Sequence, residues 1–423
     1  YDHHNRDEWT PGAPGRPLPR QRGFDEYFGL LNGADTYWNP VSLMLGDTLI
    51  DVETDDFHLT DAITDHAVSQ IESAVEKNSP FFQYVAFTAP HWPLHAYESD
   101  IARYEGKYMD GWDVIRASRH ESQKGMGIVD EKWPISPRDI DSPPWDQVED
   151  KEWEDIRMAT YAAQIDRMDQ GIGRIMNKVR KLGIEGETLV MFLSDNGGCA
   201  EFLMEDTERP VPSQYNTPNP DGTSIRMGNI PGLRPGPADT FMSYDLPWAN
   251  ASNSPFRLFK RWTHEGGIST PFIMSWPDKI KKPAIIHDPT HIIDIAATCI
   301  DVAGATYPHE LNGKSITPME GESFLSVVDE SRWNRQNPIF WEHEGSRAVR
   351  AGQWKLVSEV GGQWELYDMD EDRTELDDLA ETNRPKAEEL ARLYDVWAER
   401  NGVMRWPILP WNPSMRSSHN HKV

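Results

Sequence analysis

The chain has 423 residues, 38% of them hydrophobic and 26% charged, with 42 Lys and Arg against 69 Asp and Glu for a net charge of −27. That length sets a prior of roughly two or three domains, and the composition is that of a globular protein with a sizeable core, not a low-complexity or fibrous one. The acidic excess repels phosphate backbones and anionic lipid, which argues against nucleic-acid and membrane-surface partners, and no run of about 18 apolar residues is present to span a bilayer.

Residues 1–22 are polar and rich in Pro, Gly and Arg and read as an irregular loop. Over 61–77 the apolar positions Ile63, Ala67, Ile71, Ala74 and Val75 share one face, which predicts an amphipathic helix. Pro80 then leads into Phe-Phe-Gln-Tyr-Val-Ala-Phe-Thr (81–88), an aromatic and β-branched run that suits a buried strand and breaks at Ala89-Pro90-His91. From about Asp150 to Leu182 the spacing of Ile156, Ile165, Met168, Ile172, Ile175 and Val179 is helical, with Gly183 as a stop. A short turn opens a second buried strand, Thr-Leu-Val-Met-Phe-Leu-Ser (188–194), ending at Asp195. Helix, short loop and buried strand with polar residues at its C-terminal end are the elements of an α/β sheet, which places ligands at that end.

Residues 201–253 are dense in Pro, Asn and Gly without periodicity and read as a functional loop or an insertion over a pocket. A further strand is expected at 270–277 and a helix at 291–304, closed by Gly304. Beyond about 335 the texture becomes short alternating segments with Gly-containing turns, then a terminal helix over roughly 383–400. This divides the chain into 1–335 and a smaller α+β domain, 336–423.

Three strand-end constellations carry possible chemistry. His91, held between Pro90 and Pro93, is either aimed for proton transfer or an oxyanion contact, or is part of a structural turn. Ser194-Asp195-Asn196-Gly197-Gly198 offers adjacent oxygen ligands for a hard cation and glycines that admit close backbone approach, or is an ordinary turn. Phe256–Ile268 gathers Arg257, Lys260, Arg261 and His264 in an otherwise acidic chain, as an anion site or a solvated loop. Asp368-x-Asp370-x-Asp372 lacks the glycine and glutamate of a calcium loop and reads as a solvated turn. Gly171-Ile172-Gly173 lies in a helical pattern without a third glycine, and there is no nucleophile elbow and no P-loop. Cys199 and Cys299 form no disulfide framework and no zinc motif. The loop tryptophans Trp38, Trp92, Trp112, Trp145 and Trp248 are placed either to stack on sugar or aryl rings or to pack on the domain.

Taken in order, these segments resemble the sulfatase family of the alkaline phosphatase superfamily. Arg22 to Gly29 (RGFDEYFG), Ala89 to His95 (APHWPLH), Asp195 to Gly198 (DNGG), Asn250 to Ile268 (NASNSPFRLFKRWTHEGGI) and Leu366 to Ala380 (LYDMDEDRTELDDLA) are each similar to a family segment. The resemblance implies an α/β fold with an alkaline-phosphatase-like mixed sheet flanked by helices, and a C-terminal α+β domain with a short antiparallel sheet and terminal helix. It implies Asp195 and Asn196 as Ca²⁺ ligands, His91 as proton donor to the leaving alcohol, and Lys260 as the cation that neutralises developing charge. His264, His95 and His343 are weaker candidates for substrate contacts, and the segment around Trp341 to Glu344 for a subsite. The substrate so implied is a sulfated small molecule or glycan, and family habit places such enzymes in the periplasm or outside the cell.

The chain also departs from the family pattern. A formylglycine would derive from the Cys or Ser of a C/S-x-P-x-R motif, and neither Cys199 nor Cys299 nor Ser254 sits in one. The paired N-terminal Asp ligands and the Gly-Lys-Trp-His segment are missing too. The expectation is an N-terminally truncated sulfatase: inactive alone, with a weak Ca²⁺ site and apolar sheet surface exposed. Two other readings stand beside it. One is a metal-dependent phosphatase or phosphodiesterase of the same superfamily, against which Asn196 argues as a poor zinc ligand. The other is a non-catalytic sulfated-glycan binding protein.

Overall fold

A computed structural model describes residues 18–406 apart from 32–34, 53, 55, 206–218, 331–332 and 405. Two helices organise the larger body. Leu59–Glu76 buries Leu59, Ile63, Ala67 and Ile71, and the 31-residue helix Lys151–Lys181 packs along it. The long helix starts where Asp150 accepts a hydrogen bond from the Trp153 N–H at 2.9 Å. It stops at Gly183, whose φ of +73° is the left-handed cap that glycine adopts without strain. The two helices approach closely at Gly171, where an added Cβ would lie 2.4 Å from Thr64 Oγ1. Gly171 is thus a helix-packing residue. Arg167 to Asp61 (2.5 Å) and Lys178 to Glu72 tie the same two helices by ion pairs.

The strand Val190–Leu193 pairs antiparallel with Phe272–Ser275, Val190 opposite Ser275 and Leu193 opposite Phe272. This brings Asp195 beside the segment that precedes Phe272. The helix expected over 291–304 is Ile292–Val302, capped by Asp294 Oδ2 accepting from the His291 N–H at 2.7 Å and followed by Gly304 at φ +61°. The fold is the mixed α/β fold implied by the resemblance, with a small C-terminal antiparallel sheet and terminal helix.

Two expectations change. The run 81–88 has the period-two exposure of a strand, with Val85 and Phe87 turned to the core, but it joins no ladder among the described residues. Alternation reports which face is buried; a ladder also needs a neighbour about 4.7–4.9 Å away. Phe82 and Tyr84 are exposed there, as is Ile273 on the paired strand. The stretch 201–253, read as a loop over a pocket, is in its described part a core element. Phe241, Met242, Tyr244, Leu246 and Trp248 are buried, and most of them centre the largest apolar cluster. Its short parallel pairing of Arg226–Met227 with Thr240–Phe241 and its eight-residue helix Asp245–Ser252 are too brief to leave a periodic signal.

The C-terminal part is a four-stranded antiparallel meander of Ile339–His343, Ser346–Ala351, Trp354–Ser358 and Glu365–Asp368. The helix Arg384–Arg400 covers one face through Leu390 and Tyr394 against Val349, Leu356 and Leu366. By strand alternation Lys355, Glu365 and Tyr367 leave on the other face, toward the larger body.

Candidate active site

His91 and Lys260 come from segments 169 positions apart and meet, with Lys260 Nζ 3.0 Å from His91 Nε2. The His91 backbone is pinned by its carbonyl, which accepts from the Tyr37 hydroxyl at 2.9 Å. Gln164 of the long helix donates to the carbonyl of Pro93 at 3.0 Å. His91 Nδ1 lies 2.8 Å from the carbonyl of Trp92. A carbonyl only accepts, so Nδ1 carries the proton and Nε2 offers its lone pair to the Lys260 ammonium. Burial and then the Lys260 charge hold His91 below its ordinary pKa, which keeps the ring neutral in this arrangement.

Lys260 is placed by the two glycine pairs. The Gly197 N–H donates to Gly267 O at 3.0 Å, the Lys260 N–H to Gly198 O at 3.0 Å, and the Gly198 N–H to Asn253 Oδ1 at 2.7 Å. A Cβ on Gly197 would lie 1.8 Å from Gly266 O, and one on Gly267 2.1 Å from Trp262 O. Gly197 and Gly267 thus let one backbone approach another. Leu258 (φ +64°) and Arg261 (φ +96°) flank Lys260 in left-handed conformations that bulky residues rarely hold. Such geometry costs about 1–3 kcal/mol a residue and persists where the surroundings over-determine it.

The surroundings here are the C-terminal sheet. Arg257 pairs with Glu365, Arg261 with Glu344 at 2.7 Å, and His264 Nε2 lies 3.3 Å from Glu365 Oε2. Beneath them Lys355, fully buried, donates to Glu265 Oε1 at 2.8 Å and lies 2.7 Å from Glu375 Oε1, an ion contact without hydrogen-bond geometry. Glu375 Oε2 accepts from the Glu265 N–H at 2.8 Å. Of the cationic cluster expected as an anion site, only Lys260 faces His91. Arg257, Arg261 and His264 anchor the segment to the C-terminal sheet.

The other candidates fall as follows. Asp195 is exposed, with its carboxylate uncommitted to any protein donor among the described residues, and its charge acts on His91. Asn196 donates through Nδ2 to Gly197 O at 2.9 Å, leaving Oδ1 to accept. His95 is fully buried, accepting from the Tyr37 N–H at 3.3 Å and donating to Thr240 O at 2.6 Å, so both ring nitrogens are used inside the protein. His264 is fully buried as well. Neither is open to substrate, because in each case the ring completes the packing of its own segment. His343 is exposed at the end of its strand, one residue before Glu344. Trp112, Trp145 and Trp248 pack edge to face on one another, with centroids 4.7, 5.3 and 5.9 Å apart; Trp112 and Trp248 are buried in the core and Trp145 packs partly buried against them. Trp38 donates to Gly236 O at 2.9 Å.

Sequence reasoning passed over Glu201. Its Oε2 accepts from Trp92 Nε1 at 2.7 Å and from the Cys199 thiol at 3.2 Å. Burial raises it, but the charge of Lys260 and these donors more than offset that, leaving the carboxyl below its usual range. The Cys199 thiol is pushed up to about 12 by burial and then by Glu201, so it is no thiolate nucleophile. The signal was available: a carboxylate three positions past Gly198.

A sequence model of the sulfatase family matches residues 2–305, and one described as N-sulphoglucosamine sulphohydrolase, C-terminal, matches residues 256–395. The chain belongs to the sulfatase family. It is 29% identical over 429 residues to an uncharacterized sulfatase of Schizosaccharomyces pombe, covering 95% of this chain and 75% of that one. It is 29% identical over 348 residues to an arylsulfatase of Klebsiella aerogenes, covering 77% and 69%. Among solved structures the crystal structure of Ps i-CgsB matches with a TM-score of 0.62 at 21% identity, over 97% of this sulfatase chain and 72% of that one. The second family match runs across the interface just described, so the Lys260 segment and the C-terminal sheet that grips it fall within one matched region.

Proposed function

We propose that this sulfatase chain is the main part of a sulfuric ester hydrolase acting on aryl or carbohydrate sulfates, with His91 and Lys260 at the reacting ester. The observation that carries the reading is the 3.0 Å contact between His91 Nε2 and Lys260 Nζ, beside exposed Asp195. S–O cleavage puts negative charge on the leaving oxygen and needs a proton there and cations around the sulfuryl group. As an anionic ester enters, Lys260 turns to its oxygens. The ester's charge offsets that of Lys260 and raises the His91 pKa, so the ring takes a proton at Nε2, Nδ1 staying on the Trp92 carbonyl. His91 then donates that proton to the leaving alkoxide.

Asp195 and the Asn196 Oδ1 are hard oxygen donors and fit Ca²⁺, which takes roughly six to eight oxygens. No group of three or more His, Cys, Asp and Glu that could hold a metal occurs among the described residues, so these two residues are a partial ligand set. When bound there, the cation would draw charge from the sulfuryl oxygens. The nucleophile implied by the family is a formylglycine, and these 423 residues contain no C/S-x-P-x-R motif for it. The chain by itself is therefore proposed not to turn over. We also place the C-terminal α+β domain from residue 336 on, and the enzyme in the periplasm or outside the cell. Among relatives, N-acetylgalactosamine-6-sulfatase of Sus scrofa is 21% identical over 362 residues. One structural neighbour, with a TM-score of 0.50, is described in complex with its substrate D-glucosamine-2-N,6-O-disulfate. Both favour a sugar sulfate.

The test is a series of aryl sulfates with leaving groups of rising pKa, hydrolysed by the protein of the whole reading frame. With His91→Ala the rate should fall most for the poorest leaving groups, steepening the dependence. An equal loss across the series would show that His91 does not protonate the leaving oxygen.

A further inference from the structure

Glu201 is a carboxylate with no assigned role, and its charge acts on both His91 and Lys260. Its donor Trp92 has its ring 4.6 Å from that of His91. Its other donor, Cys199, follows Gly198, whose carbonyl receives the Lys260 N–H. The Glu201 backbone is fixed too, its carbonyl accepting from Ser243 Oγ at 2.5 Å. Both fixed donors land on Oε2. Oε1 has no protein partner among the described residues, and Glu201 remains partly exposed. With His91 neutral, the charges of Glu201 and Lys260 cancel, so this trio carries no net attraction for a sulfate.

We propose that Glu201 is the specificity-determining residue of the site. Resting on the reading above, it selects a sugar sulfate that presents a hydroxyl or ammonium on the carbon beside the sulfate ester. That donor fills Oε1, while Lys260 takes the sulfuryl oxygens. A hydrogen bond to a charged acceptor is among the stronger ones and discriminates sharply against a ligand lacking the donor, because the carboxylate is then left facing the anion. Aryl sulfates and sugars sulfated on both neighbouring carbons are correspondingly disfavoured.

The experiment is calorimetric titration of the chain with inorganic sulfate, phenyl sulfate and the positional monosulfates of galactose and glucosamine. It is run for wild type, Glu201→Gln and Glu201→Ala, with thermal melts to establish folding. Wild type should bind at least one sugar monosulfate roughly tenfold or more tighter than phenyl sulfate. Glu201→Ala should erase that preference while binding inorganic sulfate more tightly, and Glu201→Gln, which still accepts from Trp92, should fall between. A preference that survives in Glu201→Ala overturns the proposal. Failure of every protein to bind inorganic sulfate overturns the anion site itself, and this assignment with it.

Discussion

Replacing Lys355 by Met should unseat the segment that carries Lys260. Lys355 is fully buried between Glu265 and Glu375, themselves 3% and 1% exposed. Removing its charge leaves two buried carboxylates, and breaking a buried pair in this way costs about 3–5 kcal/mol. Glu265 keeps Arg373 at 3.4 Å, which moderates its share. Glu375 keeps the Glu265 N–H and the more distant charges of Arg257 and Arg350, and it sits at φ +60°, a conformation its neighbours must enforce. The low end of that range, about 3 kcal/mol, is therefore expected at neutral pH. Urea unfolding of wild type and Lys355→Met measures it. Adding Glu375→Leu to Lys355→Met should recover part of the loss, since the second orphan charge goes. A loss under about 1 kcal/mol, the level of an exposed pair, would refute the claim that this triad clamps the two parts together.

Acid should loosen the same interface. Burial raises Glu365, but hydrogen bonds from His264 and Tyr367 and the charge of Arg257 outweigh it and bring its pKa to about 2. A carboxyl depressed in the folded state stabilises above its unfolded value near 4.3 and loses that contribution as pH falls toward about 2. Stability followed by tryptophan fluorescence should drop through that window, and Glu365→Gln should flatten the drop. Lys260→Met should raise the His91 pKa toward its ordinary value by removing the adjacent charge, read by NMR titration of the imidazole; a fall would contradict the assigned contact. Gly197→Ala should destabilise toward or beyond the upper end of about 1–3 kcal/mol, because its Cβ would meet Gly266 O at 1.8 Å and backbone cannot yield as a side chain does. Unchanged melting would show that the DNGG turn is not locked against Gly266.

The parts of the fold legible in the sequence are those with a long period or a capping residue. The helices Leu59–Glu76, Lys151–Lys181 and Arg384–Arg400 announce themselves by apolar spacing, and Gly183 and Gly304 mark ends where the chain turns left-handed. The core role of 241–248 was hidden because it is built from two-residue strands and one short helix, whose burial is decided by distant partners. His91 and Lys260 stood out in their separate segments, and the structure brings the two side chains together. The cations beside Lys260 were misread because charge in a sequence does not reveal its counter-charge. Glu365 and Glu344 come from the C-terminal sheet and one of its turns and neutralise Arg257 and Arg261. The burial of His95 was not legible for a related reason: a polar ring just past a proline-rich turn is equally suited to solvent and to a buried hydrogen-bond network.

The central claim is that the His91–Lys260 site cleaves sulfate esters. Its most direct test is hydrolysis of matched sulfate and phosphate esters, aryl and sugar, by the protein of the whole reading frame with Ca²⁺ present. The account predicts sulfate release that is lost in both His91→Ala and Lys260→Ala. Phosphate release exceeding sulfate release, or sulfate release untouched by either substitution, would contradict it.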